Sequence, residues 1–460
     1  RGGFGSWNVG LTHAGRFAAA APAASYFRSD AHATRPFARR VVYGEEPMGS
    51  VWRRAGQHGL TLPKTENAAD GTLPVFALHG GRDEAVSPVQ ARTVLRALAE
   101  RGLSVRGAAA ERHPDPDPDA VDAAYLEVPG REHWWGGDLA DSADAVNHPD
   151  LWSFVTDCER EPWPDHLRFV TWNLRVEDTK RWVTVHRQQE VYRRTRVDAR
   201  ATDDGVAIDA ENVAVLALDP GVFDALDVPP TVRVGGEAVA VPDGDGPVVV
   251  EPSSAAVSRS LPAADGPRKD ADQYGPLSEV VLGPYRIVYG TAGSAAATEL
   301  NRRVACLESR RLVDRARSHG TVIPDTAVDG ATHREHNLLL VGRPDTNAVH
   351  ERLHADLPVA VADGAVTVGD WEAAGDLAVK YLYPNPAASD RLVGVYAGTT
   401  ERGTRLLRRD PRVPGYRAFD SLPDFHVYDE RVRSEGWNGC RAAGFFDRRW
   451  RVDDSLAAFR

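Results

Sequence analysis

The sequence predicts an α/β protein in three parts, and three changes of pattern along its 460 residues carry that prediction. Over 1–160, apolar runs of strand length alternate with helical patterns, the mark of a parallel sheet covered by helices. Over 161–255, strand follows strand, with aromatic and β-branched residues alternating against Arg, Asp and Thr, which reads as a small antiparallel β domain. A linker rich in Ser, Pro, Ala and Asp is expected at 256–275, and over 276–460 the alternation restarts as a third, three-layer α/β domain.

The opening "RGGFGSWNVGLT" reads as a helix with glycines at Gly2, Gly3 and Gly5. Each glycine inside a helix costs about 1 kcal/mol relative to alanine, so such a helix implies close approach to a strand, a ligand or a sharp turn. The apolar run 17–22 reads as a buried strand, and 26–72 as short helices capping the sheet. "LPVFALHG" at 73–80 is a strand, "SPVQARTVLRALAERG" at 87–102 a helix and "AAYLEVPG" at 123–130 a second strand, with the acidic 114–120 stretch a solvated loop. In the β-rich part, "DDG" at 203–205 signals a turn. Farther on, 285–290, 337–342, 392–398 and 424–429 read as strands and 295–320 as a long amphipathic helix.

Composition excludes some classes. The net charge of −11 argues against a nucleic-acid footprint, and no apolar run approaches the ~18 residues of a membrane span. Lysine occurs only at Lys64, Lys180, Lys269 and Lys380, so the basic charge is nearly all arginine. Cys158, Cys306 and Cys440 lack metal-ligand spacing and read as free or buried thiols. No signal peptide is visible, and neither a compartment nor an oligomeric state is assigned.

The chemistry concentrates after two of the strands. "VFALHGGRDEAVSP" places Asp83 just past one strand end, and "YLEVPGREHWWGG" places His133 just past another. In open α/β sheets that edge gathers ligands and catalytic groups, and a carboxylate with an imidazole there suits an orienting acid and a general base.

With those residues in place, the chain resembles the prolyl oligopeptidase family of α/β-hydrolases and the related poly(3-hydroxybutyrate) depolymerase-like esterases. "HGGRDEAV" resembles the family's His-Gly-x-x-Asp-x-x-Val segment and "PGREHWW" its Pro-Gly-x-x-His segment. Arg1-Gly2-Gly3, Trp7 and His13-Ala14-Gly15-Arg16-Phe17 resemble the residues that follow its Gly-x-Ser-x-Gly-Gly elbow. The resemblance implies that the first part is the C-terminal portion of an α/β-hydrolase sheet, with Asp83 as acid, His133 as base and the backbone N–H of Arg1 in the oxyanion hole. It places the nucleophilic serine immediately before Arg1, so residues 1–460 by themselves are expected to be inactive. Ser6 is the nearest hydroxyl, but Phe4 and Asn8 stand where the motif requires glycine. Trp134 and Trp135 are candidates for the substrate cleft, with core or lid packing the alternative. Later segments, among them "RFVTWNLRVEDTKRWVTVHRQQ" and "NLLLVGRPDTN", resemble the C-terminal extension of some bacterial and archaeal members.

A peptide or ester substrate follows from the resemblance, with neither cofactor nor metal. Polyester or carboxylester cleavage is the alternative activity, and a binding or assembly module with a vestigial hydrolase part is the alternative class. His333 and His336 match no zinc motif, the turn at 289–297 lacks a phosphate-loop pattern, and Tyr383-Pro384-Asn385-Pro386 reads as a turn between strands.

Overall fold

The structure is a computed structural model that describes residues 2–27, 45–56, 60–114, 117–119, 121–133, 135, 145–263, 265–409 and 422–460. It is a mixed α/β protein with helices interleaved among several sheets. Two compact units are present: Arg1–Asp30, His58–Gln189 and Arg193–Ala263 form the first, and Ala31–Gln57, Glu190–Tyr192 and Ala264–Arg460 the second.

In the first unit, helix α1 (Gly2–Thr12) leads into an extended stretch whose Ala20 and Ala23 bridge in parallel to Val75 and Leu78. Strand β1 (Val75–Gly80), helix α2 (Val89–Ala99), strand β2 (Val105–Ala109), strand β3 (Ala123–Val128) and helix α3 (Pro149–Asp157) follow, and the three strands pair in parallel in the order β1-β3-β2. Every residue of β1 is buried, as expected of a strand covered on both faces. Trp7 and Leu11 from α1 and Val94 and Leu98 from α2 pack on Val75 and Ala77, while Phe154 from α3 packs with Phe76 and Leu78 on the other face. The sequence did not reveal β2, an edge strand with a mostly exposed pattern.

The β-rich part of this unit forms two five-stranded sheets. Its strands are β4 (His166–Thr171), β5 (Thr179–Lys180), β6 (Val183–Gln188), β7 (Thr195–Thr202), β8 (Gly205–Glu211), β9 (Val213–Leu218), β10 (Thr231–Val234), β11 (Glu237–Ala240), β12 (Val248–Glu251) and β13 (Ala256–Ser258). The orders are β11-β10-β8-β7-β4 and β13-β12-β9-β6-β5. All pairings are antiparallel except β8 with β10, so the expected all-antiparallel domain contains one parallel pair. Lys180 ties β5 to its surroundings. Its ammonium donates to Asn67 O at 2.6 Å, to Arg168 O at 2.9 Å and to the Asp70 carboxylate, using all three of its donors.

The second unit is built on an eight-stranded sheet. It contains β14 (Tyr285–Tyr289), α4 (Ala295–Ala316), β15 (Thr321–Pro324), β16 (Asn337–Val341), the meander β17 (Val359–Ala362), β18 (Ala365–Val368) and β19 (Trp371–Ala374), and then β20 (Ala378–Asn385), β21 (Ala388–Gly398), β22 (Phe425–Tyr428), β23 (Cys440–Phe446) and β24 (Val452–Phe459). The large sheet runs β15-β14-β16-β21-β20-β22-β23-β24, parallel from β15 through β21 and antiparallel beyond.

Several expectations change here. Tyr383, Pro384 and Asn385 belong to β20, whose pairing shifts register at Pro384, so the strand runs up to the turn at Pro386. The stretch 256–275 is no free linker, since Ala256–Ser258 pairs as a strand and Lys269 and Tyr274 are buried. The helix Met48–Gly56, expected to cap the first sheet, belongs to the second unit, where Trp52 stacks on Trp437 at 3.6 Å between ring centroids. The turn after β14 is packed shut: a Cβ on Gly290 would lie 2.1 Å from Thr346 O, and Asn347 Nδ2 donates to Val288 O at 3.2 Å and Val341 O at 3.1 Å. All three cysteines are free thiols. Asn385 Nδ2 donates to His333 Nδ1 at 3.2 Å. Among the described residues no group of three or more His, Cys, Asp or Glu side chains is placed to hold a metal ion.

His350 supplies a pH-dependent element. It is wholly buried, its Nδ1–H donates to Gly342 O at 2.9 Å, and burial pushes its pKa down to about 4. The folded ring thus stays neutral where the unfolded ring, with an ordinary value near 6.5, takes up a proton. Its contribution is complete above about pH 6.5 and is lost as pH falls towards 4, by up to about 3 kcal/mol. Urea unfolding at pH 7 and 4.5 is expected to show a smaller loss of stability in His350→Asn than in the wild type; equal losses would contradict it.

Candidate active site

β1 and β3 lie side by side and end together, with Gly80 opposite Val128 as the last pair of the ladder. Asp83 and His133 follow those two ends on neighbouring loops. Sequence and topology thereby bring to one sheet edge two residues fifty positions apart, and their side chains meet: His133 Nδ1–H donates to Asp83 Oδ2 at 2.8 Å.

Three features hold the loops in register. Gly81 N donates to Val128 O and Arg82 N to Arg131 O, each at 2.8 Å. Gly80 has a steric reason to be glycine, because a Cβ there would sit 2.5 Å from Glu132 O and 2.6 Å from Arg131 O. Gly80→Ala is therefore expected to push the 131–133 backbone away and break the His133–Asp83 hydrogen bond. Loss of a low-field imidazole N–H proton resonance in the variant would report this; retention at wild-type shift would contradict it.

The Asp83 carboxylate is buried and held on both oxygens. Oδ1 accepts from Val86 N at 2.7 Å, while Oδ2 receives His133 and lies 3.2 Å from His79 Nε2. His79 escaped the sequence reading. Its Nε2–H also points to Val86 O at 2.8 Å, and because a carbonyl only accepts, that nitrogen carries the proton. The ring is fully buried at the end of β1, and its Nδ1 has no hydrogen-bond partner among the described residues. The available clue was the spacing of His79 and Asp83, four residues apart across the "HGGRD" turn.

Behind this group, Glu127 of β3 accepts from Arg92 of α2 at 2.6 Å and from the Tyr125 hydroxyl at 2.7 Å. Burial works against its ionisation, but the hydrogen bonds from Arg92 and Tyr125 outweigh it and hold Glu127 below the usual carboxylate range. The same burial and the Glu127 charge push the Tyr125 phenol far up, so it remains a donor. This clamp fixes α2 to β3 immediately before the His133 loop.

His133 is about one-fifth exposed whereas the Asp83 side chain is fully enclosed. A carboxylate accepting from Nδ1–H fixes the neutral tautomer and leaves Nε2 as the basic nitrogen. The pair can therefore act as an oriented general base. Comparison with protein-family models finds none that matches the chain, and no curated protein matches it either.

The remaining site expectations separate. Ser6 lies inside α1, where its hydroxyl donates to Gly2 O at 3.3 Å. Trp135 is a core residue, 4% exposed, packed with Phe76, Leu78 and Phe154 and edge-on to His148, and so faces the interior rather than a cleft. Arg1 and Trp134 lie outside the described residues. The glycines of α1 have a packing role at Gly3, where a Cβ would meet Ala23 O at 2.1 Å and Ser25 Cβ at 2.4 Å. His13 and Arg16 both pair with the buried Glu177 carboxylate, anchoring the turn that leaves α1. No helix among the described residues is long and apolar enough to cross a membrane.

Proposed function

We propose that the protein is a serine hydrolase of the prolyl oligopeptidase type, cleaving a peptide or ester bond through an acyl-enzyme. The observation that carries the reading is the 2.8 Å hydrogen bond from His133 to the enclosed Asp83 at the ends of two adjacent parallel strands. The resemblance of Arg1-Gly2-Gly3 to the residues that follow the Gly-x-Ser-x-Gly-Gly elbow implies a nucleophilic serine directly before Arg1.

In this mechanism His133 takes the serine proton as the hydroxyl attacks the carbonyl, then returns it to the leaving amine or alcohol. Asp83 keeps the imidazole in the working tautomer and stabilises the imidazolium. His79 and the Val86 N–H position Asp83. The resemblance implies the backbone N–H of Arg1 as an oxyanion-hole donor, and loss of one such donor typically costs about 10²–10³ in rate.

The reading is tested on protein that includes the residues preceding Arg1, with p-nitrophenyl acyl esters beside peptide p-nitroanilides. Turnover of either class supports it, and the preferred class separates esterase from peptidase. Turnover of neither, in folded protein, argues for a binding module.

A further inference from the structure

Although the molecule carries a net charge of −11, one face of the β-rich sheet concentrates guanidinium groups. Period-two alternation puts Arg196, Asp198 and Arg200 of β7 on that face, while Val197 and Ala199 between them are buried. The ladder then sets the arrangement. Ala207 of β8 is the register partner of both Arg200 on one side and Arg233 of β10 on the other. A single methyl thus lies between two long cationic side chains, and a cavity of about 400 Å³ is lined by these residues with Asp198 and Asp209.

The acidic residues here serve the arginines. Asp198 accepts on Oδ1 from His166 Nε2 and Arg200 Nε, and on Oδ2 from Arg168 Nε and Arg196 Nη2, all at 3.1 Å. One carboxylate therefore orients three guanidiniums and has little capacity left. Burial opposes its ionisation, but the Arg200 hydrogen bond and the His166 charge hold it below the usual carboxylate range. Arg196 is consumed by Asp209, Asp198 and Glu66. Arg200 is different: with Nε fixed by Asp198, its Nη1 and Nη2 have no partner among the described residues. Among the described residues Arg233 bonds only Asp204, a side chain 76% exposed, through Nη2.

The geometry points to a binding site for a small multivalent oxyanion, carboxylate or phosphate, held between Arg200 and Arg233 over Ala207. Guanidinium forks match both oxyanions in bidentate fashion, and Arg200 is already oriented by Asp198. The cavity has the size of a small-molecule pocket, and the acidic remainder of the surface disfavours a long polyanion.

Calorimetric titration of the 460-residue protein with citrate and with inorganic pyrophosphate, at matched ionic strength against chloride, tests the site. Saturable 1:1 binding of either is expected, citrate alone marking a carboxylate ligand and pyrophosphate alone a phosphate. Arg200→Gln and Arg233→Gln should each weaken it about tenfold or more, whereas Arg303→Gln, at an exposed position of α4, should not. Among the described residues Arg233 is tied only to an exposed partner, so its variant retains the fold should Arg200→Gln lose it. Absence of saturable binding, or binding insensitive to both pocket variants, overturns the proposal.

Discussion

Replacing His133 by alanine in protein that includes the residues before Arg1 is expected to lower kcat/KM for the ester or peptide substrate by about 10⁴–10⁶-fold. The fold should be intact, since the imidazole is partly exposed and lies on a loop beyond β3. Asp83→Asn should cost about 10⁴-fold, because an amide can donate to His133 and so favours the wrong tautomer. The double variant should be scarcely worse than His133→Ala alone, as groups acting as one unit are not additive. Multiplied losses would show that Asp83 and His133 act separately, and a drop below tenfold for His133→Ala would remove it from the chemistry.

The second large effect is on stability. All four lysines are buried, and Lys269 is the extreme case. Its ammonium pairs with the enclosed Asp424 carboxylate and lies 4.5 Å from the Trp450 ring centroid and 4.8 Å from that of Tyr192. Asp424 also accepts from Phe446 N and the Tyr192 hydroxyl, each at 2.9 Å. Burial drives Lys269 down and Asp424 up, so each charge depends on the other. Lys269→Met leaves the carboxylate without its cation and is expected to cost about 3–5 kcal/mol in urea unfolding followed by tryptophan fluorescence. Lys269→Met combined with Asp424→Leu should recover more than half, because removing both charges removes the desolvation penalty. A single-variant cost below about 1 kcal/mol would contradict the pairing.

These lysines show why part of the molecule was hidden in its sequence. Their scarcity was visible, but their burial was not: the two carbonyls and the carboxylate that satisfy the Lys180 ammonium come from Asn67, Arg168 and Asp70, which the local sequence around Lys180 does not announce. The strands flanking Asp83 and His133 were legible because continuous apolar runs ending in glycine and proline have few other readings. β2 was not, since "VRGAA" at an edge buries little and carries no period. Trp135 and His79 were ambiguous for one reason: a residue near a strand end turns to core or edge according to neighbours that apolar periodicity does not specify, here Phe154 for one and Val86 and Asp83 for the other. The arginine face needed the register of β7, β8 and β10, which alternation alone does not supply.

Asp83 and His133 are proposed to activate a serine directly before Arg1. Labelling with a fluorophosphonate probe, followed by mapping of the modified residue, tests it on protein including the upstream residues, on its His133→Ala variant and on residues 1–460 alone. The expected result is one labelled serine, immediately before Arg1, with labelling lost in His133→Ala and absent from residues 1–460. A label on Ser6, or labelling that persists without His133, would contradict it.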